Sequence, residues 1–209
     1  MLELTDLECT RGERTLFRGL GFALRSGELL LVTGANGSGK TSLLRIVCGL
    51  LVPTRGEVRW RGENIQQLRE EFWKQLVYIG HANAIKDDLT AVENLMMAST
   101  LAGLSVSREQ ACAALRRLGL AGCEELPARV LSQGQRRRVA LTRLALGQAM
   151  PLWVLDEPFT ALDATAMNTI RELIAQHVAQ GATVMYTTHQ EAQINAAVSR
   201  RIHLESGTI

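Results

Sequence analysis

The residues with the clearest capacity for chemistry form a glycine-rich octet, Gly34-Ala35-Asn36-Gly37-Ser38-Gly39-Lys40-Thr41. The octet fits the pattern GxxxxGK[ST] and follows an apolar run at 29–32, which predicts a strand, a loop and a helix in succession. Glycines let backbone N–H groups turn toward phosphate oxygens, and the following helix presents the positive end of its dipole. Lys40 can reach the β and γ phosphates, and Thr41 can ligate Mg²⁺. The octet predicts binding of a nucleoside triphosphate, the alternative being a chance turn before an ordinary helix.

A second group with chemical capacity is the carboxylate pair Asp156-Glu157, which follows the apolar run at 152–155. In an open α/β sheet, ligands bind beyond the carboxyl ends of the strands, where this pair is expected. Asp156 is placed to hold Mg²⁺, directly or through its water, and Glu157 can polarise the water that attacks the γ phosphate. A turn or a helix N-cap is the alternative use of such a pair, and the upstream Lys40 makes it the weaker interpretation.

The elements that must position these groups alternate between short strands and helices. Turn residues separate the apolar runs that predict strands, at 2–7, 20–24, 29–32, 58–60, 152–155, 183–187 and 202–204. The first helix is expected to begin inside the octet, to carry Leu43, Leu44, Val47 and Leu50 on one face, and to end before Pro53. Together these patterns predict an α/β fold.

The middle third of the chain, 91–146, is almost wholly helix-forming and predicts a helical subdomain. Within it, Ser107 and Gln110 form a capping box ahead of an apolar face, and Gly119 ends that helix. A further helix is expected at 164–179, and a short one between 187 and 202. We interpret 1–209 as a single domain, with the helical subdomain inserted in its α/β core.

Composition narrows the function classes. The net charge is +2 and only 4% of residues are aromatic, which argues against a nucleic-acid platform. We interpret the triplet Arg136, Arg137 and Arg138 as a solvated or intersubunit helix face and expect no nucleic-acid partner. The four cysteines lack CxxC spacing, which indicates reduced thiols without a metal. No run approaches the roughly 20 apolar residues of a membrane span, so we expect the chain not to cross a membrane.

Between the octet and the carboxylate pair lies a pentapeptide, Leu131-Ser132-Gln133-Gly134-Gln135. It resembles the LSGGQ signature of ATP-binding-cassette (ABC) ATPases, and the order of the three motifs is that of the family. The resemblance implies a P-loop ABC-type nucleotide-binding domain with a mixed β-sheet core, using ATP and Mg²⁺. It also implies that Ser132, Gln133, Gly134 and Gln135 cap the γ phosphate bound by a second copy of the chain, in a head-to-tail dimer.

Two further segments match the family. The sequence Thr160-Ala161-Leu162-Asp163 resembles the D-loop, which crosses the dimer interface and would bring Asp163 to the nucleotide. Thr188-His189 after the strand at 183–187 resembles the switch histidine near the γ phosphate. The resemblance therefore assigns His189 to catalysis beside Glu157.

Two positions depart from the family pattern. The family usually has a glutamine after the strand that ends in Ile79, where this chain has His81, with Asn83 as a neighbouring alternative. By this correspondence His81 is a candidate catalytic residue. The aromatic residue that commonly stacks on adenine is replaced by Arg11 or Thr10, so a guanidinium plane is one candidate for holding the base.

Within the family, the segments 12–17 and 80–95 resemble the ATP-binding subunit of the haem exporter in cytochrome c biogenesis. The resemblance implies polytopic membrane subunits as partners and a peripheral place on the cytoplasmic face of the inner membrane. It implies haem export or release of a haem-carrying partner. Three classes remain open at this stage: a transport or maturation ATPase, a soluble cassette ATPase acting on nucleic acid or ribosomes, and a P-loop small-molecule kinase.

Overall fold

A computed structural model describes residues 1–188 and 198–205, and its strands lie in one antiparallel and one parallel sheet. The antiparallel sheet has the order β2-β1-β4-β5. Its strands are β1 (Leu2–Arg11), β2 (Arg14–Leu24), β4 (Arg55–Trp60) and β5 (Glu63–Asn64). Parallel and antiparallel pairings therefore both occur in the α/β fold that the sequence predicted, and they are divided between the two sheets.

The parallel sheet carries the candidate site and has the order β6-β7-β8-β3-β9. Its strands are β3 (Leu29–Gly34), β6 (Leu76–Ile79), β7 (Leu152–Leu155), β8 (Thr183–Thr187) and β9 (Arg200–Leu204). Every neighbouring pair is parallel, so the carboxyl ends of β3, β7 and β8 meet at one edge. Because β8 lies between β3 and β7, its last residue, Thr187, lies between the octet and the carboxylate pair.

Helices cover both faces of the parallel sheet. The bounds are α1 (Lys40–Val47), α2 (Ile65–Leu68), α3 (Glu70–Trp73), α4 (Ala91–Leu101), α5 (Arg108–Arg117), α6 (Gln133–Leu146) and α7 (Ala164–Ala179), with a 3₁₀ turn at Ala128–Val130. The predicted helix at 164–179 is confirmed. Residues 189–197, on which the predicted short helix falls, lie outside the described residues.

The core is built from the alternation of side chains along the strands. Leu30 and Val32 of β3 pack on the face that holds α1 and the antiparallel sheet. Leu29 and Leu31 pack on the opposite face, against α6 and α7. Burying each such leucine stabilises the fold by about 2 kcal/mol, which fixes β3 in the middle of the molecule. The octet that follows β3 is thus held by a strand with a buried side chain on both faces.

The helices within 91–146 have an apolar cluster of their own. Ala91, Leu95, Ala111, Leu115 and Val139 bring α4, α5 and α6 together. The predicted capping box at Ser107 and Gln110 is present, as is the predicted end of that helix at Gly119, where φ is +71°. A second capping box, which the sequence did not single out, starts α4 at Thr90 and Glu93.

Some predicted boundaries were wrong, for local reasons. The helix α1 ends at Val47, because Gly49 takes up a left-handed conformation with φ +70°; Leu50 lies beyond it and is 55% exposed. The strands β1 and β2 run to Arg11 and start at Arg14, so they are longer than the apolar runs. Their outer residues pair across a tight turn at Gly12, where polar side chains face solvent and hide the strand period. Among the described residues, no helix combines the length and apolar character that crossing a bilayer requires.

Candidate functional site

The octet forms a cradle between β3 and α1. Gly37 and Gly39 have φ of +79° and +100°, which L side chains rarely adopt, and these turns bend the loop around the start of α1. Gly39 is the N-cap of α1 and has no side chain with which to bond the first N–H groups of the helix. The first turn of α1 also carries no acidic residue. A helix start of this kind suits an external anion.

Lys40 is turned back over this cradle. Its Nζ donates hydrogen bonds to Gly34 O at 2.7 Å and Ala35 O at 3.0 Å, and the residue is buried. Burial lowers the pKa of Lys40, and the carboxylates of Glu157 and Asp156 oppose that shift. The ammonium group is therefore held at the loop, close to the carboxylate pair, where a phosphate would share it.

Asp156 is 1% exposed and both its carboxylate oxygens are bonded. Thr41 Oγ1 donates to Oδ2 at 2.8 Å, and Thr187 Oγ1 donates to Oδ1 at 2.8 Å. The two predicted metal ligands, Thr41 and Asp156, thus converge although 115 residues separate them in sequence. A hydroxyl and a carboxylate are the hard oxygen donors that Mg²⁺ takes, so the residues fit this ion. Among the described residues no group of three or more His, Cys, Asp or Glu side chains could hold a metal ion.

Glu157 is half-buried and has a backbone conformation unusual for its residue type. Its φ is +52°, in the left-handed region that costs a non-glycine residue about 1 kcal/mol or more. Its N–H donates to Thr187 Oγ1 at 3.0 Å, and its carbonyl accepts from Arg137 Nη2 at 2.8 Å. Thr160 Oγ1 also donates to Glu157 Oε2, at 3.4 Å. The surroundings therefore hold this residue from several sides.

These groups line one cleft of about 650 Å³. Its lining residues come from the octet, from β2, from the end of β7 and from the loop after β6: Arg14, Leu16, Asn36, Gly37, Gly39, Lys40, Thr41, Ser42, His81, Glu157 and Thr160. Glu157 and Lys40 thus share one chamber with His81. The volume is in the range of small-molecule sites.

This geometry places the residues of two alternatives that the sequence left open. His81 lines the cleft, whereas Asn83 Oδ1 accepts a hydrogen bond from Arg137 Nη1 at 3.2 Å. The arginine beside the octet is Arg14, not Arg11. Leu16 flanks the cleft with it, while Thr10 bonds Thr54 and Thr15. The sequence did not predict Arg14 or Leu16, because the register of the β1–β2 hairpin decides which residues face the loop.

The signature segment does not line this cleft. Ser132 and Gln135 form a capping box at the start of α6, in which Ser132 Oγ accepts from Gln135 N and Gln135 Oε1 accepts from Ser132 N. Gln133 follows Ser132 as the first residue of α6 and is exposed. Gly134 lies against the D-loop: a Cβ at this position would be 2.9 Å from Ala161 O, so this position accepts only glycine without movement of the loop.

One other predicted residue, Asp163, also lies apart from the cleft lining. Asp163 is the N-cap of α7, and its Oδ1 accepts from Ala166 N at 2.8 Å. His189 lies outside the described residues. The structure thus brings the octet together with Asp156, Glu157 and His81, and leaves the signature segment and Asp163 elsewhere on the chain.

The interpretation of the arginine triplet as a solvated or intersubunit face was wrong for Arg137. This residue is 4% exposed and its guanidinium reaches the end of β7. Arg136 pairs with Asp87, and Arg138 donates to Gly119 O. A signal was present in the sequence: Arg137 stands 3, 4 and 7 residues before Ala140, Leu141 and Leu144, on the buried stripe of α6.

Comparisons with known proteins show the family of this chain. The family model described as ABC transporter matches residues 17–160. A cytochrome c biogenesis ATP-binding export protein CcmA of Nitrosospira multiformis is 50% identical over 203 residues, 97% of this chain and 98% of the relative. Its counterpart in Dechloromonas aromatica is 50% identical over 204 residues, 98% of this chain and 100% of the relative.

A solved structure gives the same result for the fold. The dimeric ATP-binding cassette MJ0796, in a post-hydrolysis state bound to ADP and Pi, superposes with a TM-score of 0.84 at 26% identity. The alignment covers 100% of this chain and 97% of that one. The family model spans the octet, the signature and the carboxylate pair. This match rules out the class of small-molecule kinases. The chain therefore belongs to the ABC transporter family, in the group of its members that are named cytochrome c biogenesis ATP-binding export proteins.

Proposed function

We propose that this chain is the ATP-hydrolysing subunit of an ABC membrane complex. The observation that carries the proposal is the convergence of the cradle, the Thr41–Asp156 pair and Glu157 in one cleft. The family and the relatives support it. In this proposal 1–209 forms one cassette, with 91–146 as its helical subdomain.

The residues of the cleft divide the work. The amides of the octet and Lys40 bind the phosphates of ATP, while Glu157 accepts a proton from the attacking water. We assign the surroundings of the γ phosphate to His81, which lines the cleft, and, from the family resemblance alone, to His189. Thr41 and Asp156 would hold Mg²⁺, which would neutralise phosphate charge when bound. Arg14 offers a guanidinium plane beside the octet for the base or the phosphates.

We infer that the site is completed by a second copy of the chain. Ser132–Gln135 lie outside the cleft lining of their own chain, yet this segment starts a helix with a small hydroxyl and a glycine, which is suited to an anion. A head-to-tail pair would bring each signature, with Asp163 and its loop, onto the ATP bound by the other copy. The dimeric state of the solved cassette supports this arrangement.

Mixing two inactive variants tests the composite site. In one chain Lys40→Ala disables the phosphate loop, and in the other Ser132→Arg blocks the signature. A mixed dimer then has one site with both lesions and one intact site, so random pairing should restore about a quarter of the wild-type sites. The measurement is steady-state ATPase activity after mixing in equal amounts, at an ATP concentration near the wild-type Kd, where Lys40→Ala binds little ATP.

A matched mixture provides the control. Lys40→Ala combined with Glu157→Gln leaves each site of the mixed dimer with one lesion, because both residues belong to the same half-site. This mixture is expected to stay inactive. No recovery in the first mixture, or equal recovery in both, would contradict a site shared between two copies.

We propose that polytopic membrane subunits dock in an apolar groove of about 560 Å³ beside the cleft. Leu50, Trp73 and Leu101 line it and are 55%, 48% and 81% exposed, which marks a surface suited to an apolar partner. His81 lines both this groove and the nucleotide cleft. A partner bound in this groove would therefore contact the loop that carries His81. Docking on membrane subunits would place the chain peripherally on the cytoplasmic face of the inner membrane.

Leu101→Asp tests the groove. Because one buried charge opposes docking, the fraction of chain that co-purifies with membranes is expected to fall about tenfold or more. Leu126→Asp is the control, since Leu126 is exposed but does not line the groove. The ATP Kd of each isolated chain reports whether it is folded. Equal membrane recovery for both variants would argue against this docking site.

The substrate is proposed from the named relatives. Their role in cytochrome c biogenesis supports haem export, or release of a haem-carrying partner, as the work that hydrolysis drives. In this proposal the membrane subunits make the contact with haem. Proteoliposomes with and without those subunits would separate movement of haem from release of a carrier.

A further inference from the structure

Arg137 crosslinks three segments that are distant in sequence. Its Nη2 donates to Asp156 O at 2.9 Å and to Glu157 O at 2.8 Å. Its Nη1 donates to Gly80 O at 2.9 Å and to Asn83 Oδ1 at 3.2 Å. One guanidinium on α6 therefore binds the end of β7 and the loop that carries His81.

The contacts with β7 fall where the backbone is strained. Glu157 has φ +52°, and a non-glycine residue keeps that conformation only when its neighbours hold it. Thr187 Oγ1 holds its N–H, and Arg137 holds its carbonyl and the one before it. The direction in which the Glu157 side chain leaves the backbone depends on this clamp.

The chemistry of the clamp requires arginine. Four acceptors on two segments match the planar fork of a guanidinium, whereas a lysine ammonium is a point charge on a flexible stem. Burial lowers the pKa of Arg137, and the carboxylates of Asp156 and Glu157 oppose this shift. The Nε atom of Arg137 is buried without a hydrogen-bond partner. The hydrogen bonds of the guanidinium therefore go to the two segments and not to its own helix, α6.

We propose that Arg137 is a positioning residue for ATP hydrolysis. It holds the strained Asp156–Glu157 backbone and the 80–83 loop in a fixed position relative to each other. Glu157 and His81 then both face the γ phosphate. The inference rests on the proposed role of Glu157 as the base. Since Arg137 stands two residues after Gln135 on α6, it also ties the base of one site to the signature that serves the other.

Arg137→Gln tests the role in the full-length dimer. We expect kcat to fall about 10- to 30-fold through misplacement of the base, with the Kd for ATP changed less than about twofold. Arg137→Lys should recover little of the rate. Arg138→Gln is the matched control on the same helix, because the guanidinium of Arg138 donates to Gly119 O, away from the cleft, and it should keep wild-type kcat. A wild-type kcat for Arg137→Gln would overturn the proposal.

A double-mutant cycle separates positioning from general destabilisation. If Arg137 acts through Glu157, adding Arg137→Gln to Glu157→Gln should slow turnover by less than about twofold. Independent, multiplicative losses would overturn the inference while leaving the base assignment intact. Wild-type turnover in Glu157→Gln alone would instead overturn the proposed function.

Chemical rescue keeps the proposal testable if Arg137→Gln is unstable. In Arg137→Ala, guanidinium at a few millimolar, far below denaturing concentrations, should raise kcat severalfold while urea at the same concentration does not. Melting temperatures measured under both conditions report the folded fraction. A rise in kcat that only follows the folded fraction, or no rise for a folded variant, would contradict the positioning role.

Discussion

Replacing Glu157 with glutamine is expected to slow ATP hydrolysis by roughly 10²- to 10⁴-fold, as loss of a general base does. The amide cannot accept the proton of the attacking water, yet it keeps the size of the side chain. Glu157 lines the cleft with Lys40, while the neighbouring Asp156 is fully bonded to two threonine hydroxyls. Of the two acids, Glu157 is the one that lines the cleft, and we therefore assign the base to it.

The Glu157→Gln variant should still bind ATP, so it is expected to accumulate as an ATP-bound dimer. Single-turnover hydrolysis, ATP Kd and sedimentation with ATP measure the three properties separately. Glu172→Gln is the control, since Glu172 is an exposed glutamate on α7. Wild-type turnover in Glu157→Gln would remove this residue from the role of base.

Replacing Lys40 with alanine is expected to lower the affinity for ATP by roughly 10- to 100-fold, the effect of losing charge-assisted hydrogen bonds to phosphate. The ammonium group is buried at the cradle and bonds two carbonyls of the loop itself. Its removal takes away both the positive charge and these two contacts. The loss should therefore appear in binding, unlike the loss from Glu157→Gln, which appears in turnover.

Titration calorimetry with ATP and with ADP measures this effect. The loss should be larger for ATP, because the lysine reaches the β and γ phosphates. Lys74→Ala is the matched control, since Lys74 is exposed at the end of α3 and outside the cleft. Unchanged ATP affinity in Lys40→Ala would contradict the phosphate role of this residue.

Local sequence patterns predicted the parts of the site that depend on one segment. The octet between an apolar run and a helix, the capping box at Ser107 and the helix at 164–179 each depend on contacts between neighbours in sequence. The strand boundaries were less well predicted in β1 and β2, where each strand continues past its apolar run into exposed polar residues. There the strand is held by cross-strand pairing, which the sequence of one strand does not show.

The meeting of Thr41 with Asp156 could be expected from the sequence, because parallel strands place their carboxyl ends together. The order of the strands in the sheet could not be predicted from the sequence. Only the position of β8 between β3 and β7 explains why Thr187 bonds both Asp156 and Glu157.

The order of three motifs along the chain, a phosphate loop, a signature and a pair of carboxylates, was enough to identify the chemistry of this protein. Which side chains support that chemistry could be seen only in the folded chain. Arg14, not Arg11, lies beside the phosphate loop, and Arg137 is a buried clamp and not a solvated charge. The physical reason is distance along the chain. The hydrogen-bond partners of Arg137 lie far from it in sequence: Gly80 by 57 positions, Asn83 by 54, Glu157 by 20 and Asp156 by 19. Such contacts exist only after the sheet and the helices have packed.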